Sequence, residues 1–462
     1  MYSLGIDTGT SGIRAVIMDS NHCILAQAQS ALPPSQPFYS SSSSNKKQII
    51  GYSQMPSDWW NTLEKVIFQL SDTLHKNQKL KLDIITHLAI DGTSGTVLLC
   101  NSSGKPVTDA LMYNDQRAVL QAQRIKKCAP DNTAAIGTTS GLAKILWLFE
   151  QHSGKYRSKH EHKNQDHKNA IHYALNQSDW LSGMLMGKYG ISDHNNALKM
   201  GYDAQTHCWP KWLLQLLEQL NISSSLLPEV ISPGQIMGQV APEIATHFGF
   251  NQKLYICAGT TDSTAAIIAS GAKNIGDAVT SLGSTMVMKI ISKQAIFDPE
   301  SGVYSQPYRD LWLVGGSSNS GGEVLKKFFS IDELAQLTET LNNKITQRKF
   351  SMLDLNYYPL STSGERFPIQ DPYLKPQLSP RPENNCDFFQ ALLEGMADIE
   401  TLAYHKLVDL GAPYPKLVKS IGGGASNKAW RYIREQKLDT PVKISDKEQA
   451  AAGSALLAQT TW

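Results

Sequence analysis

A short apolar strand that runs into a turn of glycine, serine and threonine and returns as a second strand occurs twice in this chain. In the first copy Tyr2 to Asp7 leads into Thr8-Gly9-Thr10-Ser11-Gly12, after which Ile13 to Asp19 alternates as a strand does. In the second, Ala278 to Leu282 and Met286 to Ile291 flank Gly283-Ser284-Thr285. The copies lie roughly one domain length apart, so the pattern predicts an α/β chain built by duplicating one unit. At 462 residues the chain is too long for a single core. Two domains are therefore expected, over residues 1–252 and 253–462, with a cleft between them as the natural place for a small ligand.

Other elements follow from periodicity. Cys23 to Gln29 reads as a third antiparallel strand, and Ile84 to Asp91 as a fourth that runs into Gly92 and Gly95. Phe388, Phe389, Leu392, Leu393, Met396, Ile399, Ala403, Leu407 and Leu410 share one helical face, with Asp387 as its cap and Gly411 as its terminator. A strand over Leu417 to Ile421, the turn Gly422-Gly423-Gly424-Ala425-Ser426, a helix from about Asn427 and a last helix over Asp446 to Gln459 complete the chain. Pro33 to Gln54, with its run of five serines, reads as a mobile surface loop. His152 to His172 holds five histidines without regular ligand spacing, and reads as a solvated insertion rather than a metal site.

Charge and composition narrow the partners. With 43 basic against 41 acidic residues the net charge is +2, which offers no electrostatic case for nucleic acid or an acidic membrane. The amino terminus has no basic stretch ahead of an apolar one, and no apolar run is long enough to span a bilayer. A cytoplasmic protein acting on small molecules, as a monomer or homodimer, is expected. The six cysteines form no C-x-x-C pair and read as buried free thiols.

Several residues suit phosphate chemistry. Turns rich in glycine expose backbone N–H groups to a polyanion, and the hydroxyls of Thr10, Ser11, Ser284 and Thr285 add hydrogen bonds beside Gly283. A plain hairpin turn also uses glycine, but two matched turns and a glycine triplet weaken that reading. Asp7, at a strand end opening onto such a turn, is placed either to bind Mg²⁺ or to close an Asx-turn. Asp262, between the strand Leu254 to Cys257 and a helical run from Ser263, fits either a carboxylate base for a hydroxyl acceptor or a helix cap. The triplet Gly422-Gly423-Gly424, ahead of Asn427 and Trp430, lets a flat base approach the backbone. Neither G-x-x-x-x-G-K-[ST] nor a strand-linked G-x-G-x-x-G is present.

Taken in order, these segments resemble the FGGY carbohydrate kinases over nearly the whole chain. Leu4-Gly5-Ile6-Asp7-Thr8-Gly9-Thr10-Ser11 and Thr280-Ser281-Leu282-Gly283-Ser284-Thr285 are similar to the two phosphate motifs of that family. Gly259-Thr260-Thr261-Asp262 is similar to its catalytic-base segment, Gly422 to Asn427 to its adenosine motif, and Lys144-Ile145-Leu146-Trp147 to its K-x-x-W segment. The resemblance implies a duplicated actin/hexokinase-like (ribonuclease H-like) ATPase fold. It implies ATP and Mg²⁺, with Asp262 as general base, Asp7 beside the metal, Thr10, Ser284 and Thr285 on the phosphates, and Gly423, Gly424, Asn427 and Trp430 lining the nucleoside pocket.

Within the family the chain is most similar to plant and cyanobacterial D-ribulose kinases, through Ile90 to Val97, Ser178 to Leu181, Asn196 to Tyr202 and Gly364 to Ile369. Asp91-Gly92-Thr93-Ser94-Gly95 stands where many xylulose kinases have G-Q-M-H-G, which implies Ser94 and Asp91 in the sugar pocket with Asp7 and Asp262. Arg14 replaces a frequent lysine, and Gly141 a frequent Ser, Thr or Pro. D-ribulose is the acceptor this implies. The rival readings are the same transfer to D-xylulose, L-ribulose, ribitol or glycerol, and a non-catalytic nucleotide-binding protein.

Overall fold

In the computed structural model, which describes residues 1–40, 48–152, 170–445, 447 and 449–459, the strand β1 (Ser3–Thr8) is buried along its whole length. It lies between an antiparallel partner, β2 (Gly12–Met18), and a parallel one, β6 (His87–Gly92). Burial on both faces explains its continuous apolar run, whereas β3 (Ile24–Ala31), antiparallel to β2 at the sheet edge, alternates between exposed and covered positions. The sheet continues beyond β6 with the parallel β13 (Tyr255–Cys257) and the antiparallel β12 (Ile236–Gln239). The expected fourth strand thus begins at His87, after a short 3₁₀ turn over Leu82–Ile84, and runs parallel to β1.

Successive residues of β1 face opposite sides. Leu4 and Ile6 join a core with Trp59, Leu63, Val66 and Leu70 of helix α1 (Pro56–Gln78). On the other side Gly5 meets helix α13 (Ala450–Ala458) so closely that a Cβ there would lie 1.9 Å from the carbonyl oxygen of Ala451. Gln459, just past that helix, donates to Ser3 Oγ at 2.9 Å.

The second sheet repeats this plan. Strand β14 (Asp277–Leu282) is antiparallel to β15 (Met286–Ser292) and parallel to β18 (Leu417–Ile421). β17 (Leu311–Ser318) and β16 (Tyr304–Tyr308) extend the antiparallel side, and β19 (Val442–Ile444) the parallel side. Its core is formed with α10 (Ile331–Thr346), α11 (Asn385–Asp409) and α12 (Lys428–Leu438). A smaller helix, α9 (Gly322–Lys326), follows β17. The cap of α11 is Asn384, which accepts from the Cys386 N–H, while Asp387 instead pairs with Lys344 at 3.0 Å. Gly411, at φ 102°, ends that stretch in the left-handed region.

A third, five-stranded sheet runs β4 (Gln36–Tyr39), β5 (Ile49–Gln54), β8 (Ala110–Leu111), β7 (Val97–Cys100) and β9 (Tyr173–Asn176). Helices α2 (Val119–Cys128), α3 (Gly141–His152) and α6 (Lys211–Gln219) share an apolar core with it. The remaining pieces are α4 (Gln177–Met186), α5 (His194–Leu198), α7 (Pro242–Phe248), α8 (Asp262–Ala269) and the parallel pair β10 (Ile191–Asp193) and β11 (Glu229–Ile231).

The chain divides into two compact units, 1–269 with 449–462, and 270–448. The boundary expected at residue 252 moves for a physical reason: β13 is an internal strand of the first sheet, and α8 and α13 pack together. The loop expected over Pro33 to Gln54 is a hairpin at its two ends, β4 against β5, and residues 41–47 lie outside the described residues. Most of the histidine-rich segment, 153–169, also lies outside them. Only Cys100, Cys257 and Cys386 are buried thiols; Cys23, Cys128 and Cys208 are exposed. No helix among the described residues is long and apolar enough to cross a membrane.

Candidate active site

Three neighbouring parallel strands of the first unit, β1, β6 and β13, end close to carboxylates. Asp7 and Asp91 are register partners on β1 and β6, and Asp262 opens α8 a few residues after β13. The carboxyl end of parallel strands is where open α/β sheets present their ligand sites. The turn into α8 is locked against β6: a Cβ on Gly259 would lie 1.8 Å from the Ile90 carbonyl oxygen, and Thr261 bridges Gly92. Asn195 Nδ2 donates to Thr260 Oγ1 at 3.0 Å, which ties the same turn to α5.

The three carboxylates differ in environment. Asp7 is 6 % exposed and pairs with Arg14 at 3.1 Å, so the arginine that replaces the expected lysine stands beside it. Asp91 has no exposed surface and accepts from the Ser454 hydroxyl of α13 at 2.6 Å. Burial first, then the charge of Asp7, raises its carboxyl well above the usual range. The expectation that Asp91 meets the sugar is therefore corrected: α13 encloses it, and it backs Asp7 from behind. Asp262 is half-buried, and its Oδ1 accepts the Ser263 N–H at 2.6 Å. Burial, with a smaller push from Asp7, raises it to about 6 against the pull of Ser263 and Lys199. A carboxylate poised near neutrality is suited to removing a proton from a hydroxyl.

The turn after β1 presents Thr10 and Ser11 to solvent while their carbonyl oxygens are anchored, Thr10 O by Gln54 Nε2 at 3.0 Å and Ser11 O by Leu32 N at 2.9 Å. Beyond β6, Ser94 is half-buried and Gly95 adopts φ 83°, a conformation natural to glycine. Two lysines hold this bend. Lys199 Nζ donates to the Ser94 carbonyl at 3.2 Å, and the fully buried Lys144 Nζ donates to the carbonyls of Gly95 and Met112 at 2.5 and 2.9 Å. Burial, then the charge of Lys199, brings the Lys144 ammonium down to about 7. Trp147 of the same K-x-x-W segment packs under the Arg117 guanidinium, itself bound to Asp115 at 2.7 Å.

In the second unit Gly283 and Ser284 are exposed and Thr285 half-buried, in a turn closed by Gly283 N to Thr285 O at 3.1 Å. The N–H groups of Gly322 and Glu323 at the start of α9 bind its carbonyls at 2.9 and 3.1 Å. A buried ion pair steadies the strands that deliver both glycine turns. Arg434 of α12 binds Glu400 of α11 at 2.6 Å and Ser420 of β18 at 2.6 Å, while Thr280 of β14 donates to the same carboxylate. At the triplet, Gly423 is exposed and a Cβ there would touch nothing within 4 Å, which leaves a flat backbone surface open to a ligand.

Two side chains expected around a nucleoside are placed differently. Trp430 is 2 % exposed and lies in the core, 2.7 Å from where a Cβ on Gly424 would be, so it floors the turn from inside. Asn427 caps α12, accepting from the Trp430 N–H at 2.9 Å, and donates to Thr338 at 3.1 Å. Lys199 and Ser454 were given no site role by sequence. The signal for Ser454 is a lone hydroxyl in an alanine-rich helix; for Lys199 there is only its place in the Asn196 to Tyr202 segment.

Among the described residues no cluster of three or more His, Cys, Asp or Glu is arranged to hold a metal. Mg²⁺ binds through one or two carboxylates with phosphate oxygens and water completing its shell, so a carboxylate such as Asp7, opening onto the glycine-rich turn after β1, fits that ion.

The chain is similar to known proteins along nearly its whole length. The N-terminal domain model of the FGGY family of carbohydrate kinases matches residues 2–269, and the C-terminal domain model matches 278–462. A xylulose kinase from Staphylococcus xylosus is 24 % identical, covering 99 % of this chain and 90 % of its own length. Among solved structures, a xyloylose kinase from Brucella ovis has a TM-score of 0.81 at 20 % identity, covering 100 % of this chain and 91 % of the other. Plasmodium falciparum glycerol kinase with ADP gives 0.81 at 18 % identity, covering 99 % and 89 %.

Proposed function

Because the chain belongs to the FGGY family of carbohydrate kinases, we propose that it transfers the γ-phosphoryl group of ATP to a terminal hydroxyl of a five-carbon ketose, with D-xylulose as the acceptor best supported. The observation that carries the chemistry is Asp262, half-buried at the carboxyl end of the parallel strands and raised to about 6. It takes the hydroxyl proton as the new O–P bond forms and ADP departs. Thr10, Ser11, Gly283, Ser284 and Thr285 hold the phosphates through N–H and hydroxyl groups, Gly423 and Gly424 receive the adenosine, and Ser94 meets the acceptor. When bound at Asp7, Mg²⁺ supplies positive charge to the transferring group. Asp91, kept from solvent by Ser454, supports Asp7 in that task.

Support for D-xylulose comes from relatives that bear that kinase's name. A second reading, D-ribulose, rests on the segment Asp91 to Gly95, where the enclosure of Asp91 leaves Ser94 as the accessible polar side chain. ADP release from Mg·ATP should be measured with D-xylulose, D-ribulose, L-ribulose, ribitol and glycerol in turn, with Asp262→Ala as control. Preference for D-xylulose that disappears in the variant supports the first reading, and preference for D-ribulose the second. Near-normal turnover by Asp262→Ala would remove Asp262 as the base, and absence of acceptor-dependent turnover would remove the kinase reading altogether.

A further inference from the structure

Residues 364–369, a segment through which the chain is similar to D-ribulose kinases, have no part in the chemistry described so far. They lie across the end of β17. Phe367 is fully buried against Gly316, where a Cβ would stand 2.6 Å from Phe367 Cγ, and the Gly364 carbonyl accepts from Asn319 Nδ2 at 2.9 Å. Between these two anchors sits the buried carboxylate of Glu365. Its Oε1 accepts the N–H groups of Asn319 and Arg366 at 2.7 and 2.9 Å, and its Oε2 the hydroxyls of Ser318 and Tyr358 at 2.6 and 3.1 Å. A carboxylate offers about four acceptor positions, so these four donors fill it.

From Ser318 the bonds continue to the second glycine turn. Ser318 Oγ gives its proton to Glu365 and accepts the Ser320 N–H at 3.0 Å. The Ser320 carbonyl then accepts Met286 N at 2.8 Å, at the residue after Thr285. Gly321 comes next, packed so tightly that a Cβ would lie 2.7 Å from the Ser284 carbonyl oxygen. Gly322 N and Glu323 N donate to the carbonyls of Gly283 and Ser284 at 2.9 and 3.1 Å. The turn after β14 therefore leans on the bend over 318–322, and Glu365 closes that bend. All of these residues belong to the second unit.

Resting on the reading that Gly283, Ser284 and Thr285 hold the phosphates of ATP, we propose that Glu365 is a positioning residue for that turn. Through Ser318 it fixes the bend over 318–322, the bend fixes the carbonyls of Gly283 and Ser284, and the hydroxyls of Ser284 and Thr285 are set for phosphate before the nucleotide arrives. Two variants cut this relay at different points. Glu365→Gln keeps an oxygen for the two backbone N–H groups but presents an amide, itself a donor, to the Ser318 hydroxyl; Ser318→Ala removes that hydroxyl. Ser318→Thr retains it.

The test measures Mg·ATP binding by calorimetry without acceptor, the KM for the acceptor that the unmodified chain uses, and the melting temperature. The Kd for Mg·ATP should rise about ten-fold in Glu365→Gln and in Ser318→Ala, close to the loss of one hydrogen bond to a charged group. Ser318→Thr should bind as the unmodified chain does. The double variant should also be only about ten-fold weaker, since both changes break one relay. The KM for the acceptor should stay within about two-fold, because the network contains none of the residues assigned to the acceptor. Unchanged Mg·ATP affinity in Glu365→Gln would overturn the inference, whether or not the melting temperature falls, and so would losses that multiply in the double variant. Ser284→Ala combined with Thr285→Ala tests the underlying reading. If that chain keeps its Mg·ATP affinity, the turn does not hold phosphate and the inference falls with it; a loss there beside an insensitive Glu365→Gln rejects the role of Glu365 alone.

Discussion

Gly453→Ala adds one methyl group where α13 crosses α8. The new Cβ would lie 1.8 Å from the carbonyl oxygen of Ala265 and 2.6 Å from its carbonyl carbon, where ordinary contact begins at 3.4 Å. One helix must retreat by roughly 1.5 Å, because the obstacle is backbone and no rotamer change relieves it. Overpacking of this kind costs about 1–3 kcal/mol of stability. The functional effect is expected to be larger. Asp262 is the first residue of α8, and α13 carries the Ser454 hydroxyl that binds Asp91. A displacement of about 1 Å at a reacting group can cost about 10²-fold in rate. Turnover at saturating acceptor should accordingly fall about 100-fold, read by coupled ADP release. A variant with a lowered melting temperature but unchanged turnover would show that the helices yield without moving Asp262, and would refute the reasoning.

Asp262→Asn should lower kcat by about 10²–10⁴-fold, and turnover of the unmodified chain should rise with pH through about 6 as Asp262 loses its proton; a flat profile across that range would contradict the base assignment. Ser94→Ala should raise the KM for the acceptor more than that for ATP, and equal effects would remove Ser94 from the sugar site. Gly423→Ala should melt as the unmodified chain does, because its Cβ meets nothing within 4 Å, yet bind ATP more weakly; an unchanged KM for ATP would move the nucleoside elsewhere. Burial, with the neighbouring charge of Asp179, raises Asp193 to about 7 against 3.8 in the unfolded chain. The native state therefore holds a proton there that the unfolded state has released, and this group's contribution to stability declines as pH rises from about 4 to about 7. Asp193→Asn should flatten that decline in a calorimetric pH series, and an unchanged slope would reject it.

Local rules were sufficient wherever an element carries its own pattern. The two hairpins were legible because alternation and glycine turns coincide, and α11 because its apolar face repeats at helical spacing over 25 residues. What local rules do not contain is the partner across the chain. β13 was assigned to the second domain, expected from residue 253, because nothing in Tyr255–Cys257 reveals its parallel pairing with His87 to Ala89. The pair β4 and β5 was hidden by the serine run between two short strands, the first of them exposed throughout. Asp91 carries the chemistry of a sugar ligand, and only the arrival of Ser454, 363 residues later, closes it off. Trp430 likewise has the flat face a nucleoside favours, but the packing of α12 turns it inward.

The return of α13 to the first sheet also has a meaning in time. A ribosome that has released residue 269 has still to make roughly 180 residues before Ala450–Ala458 emerges, on the order of 10–40 s at ordinary elongation rates. Throughout that interval β1 lacks the helix that packs on Gly5, Asp91 lacks its hydroxyl partner, and α8 lacks the surface it packs against. The unit made first is thus the unit completed last: its sheet has all its strands by residue 257 but lacks α13 on the Gly5 side, an uncovered face that a chaperone can shield during synthesis.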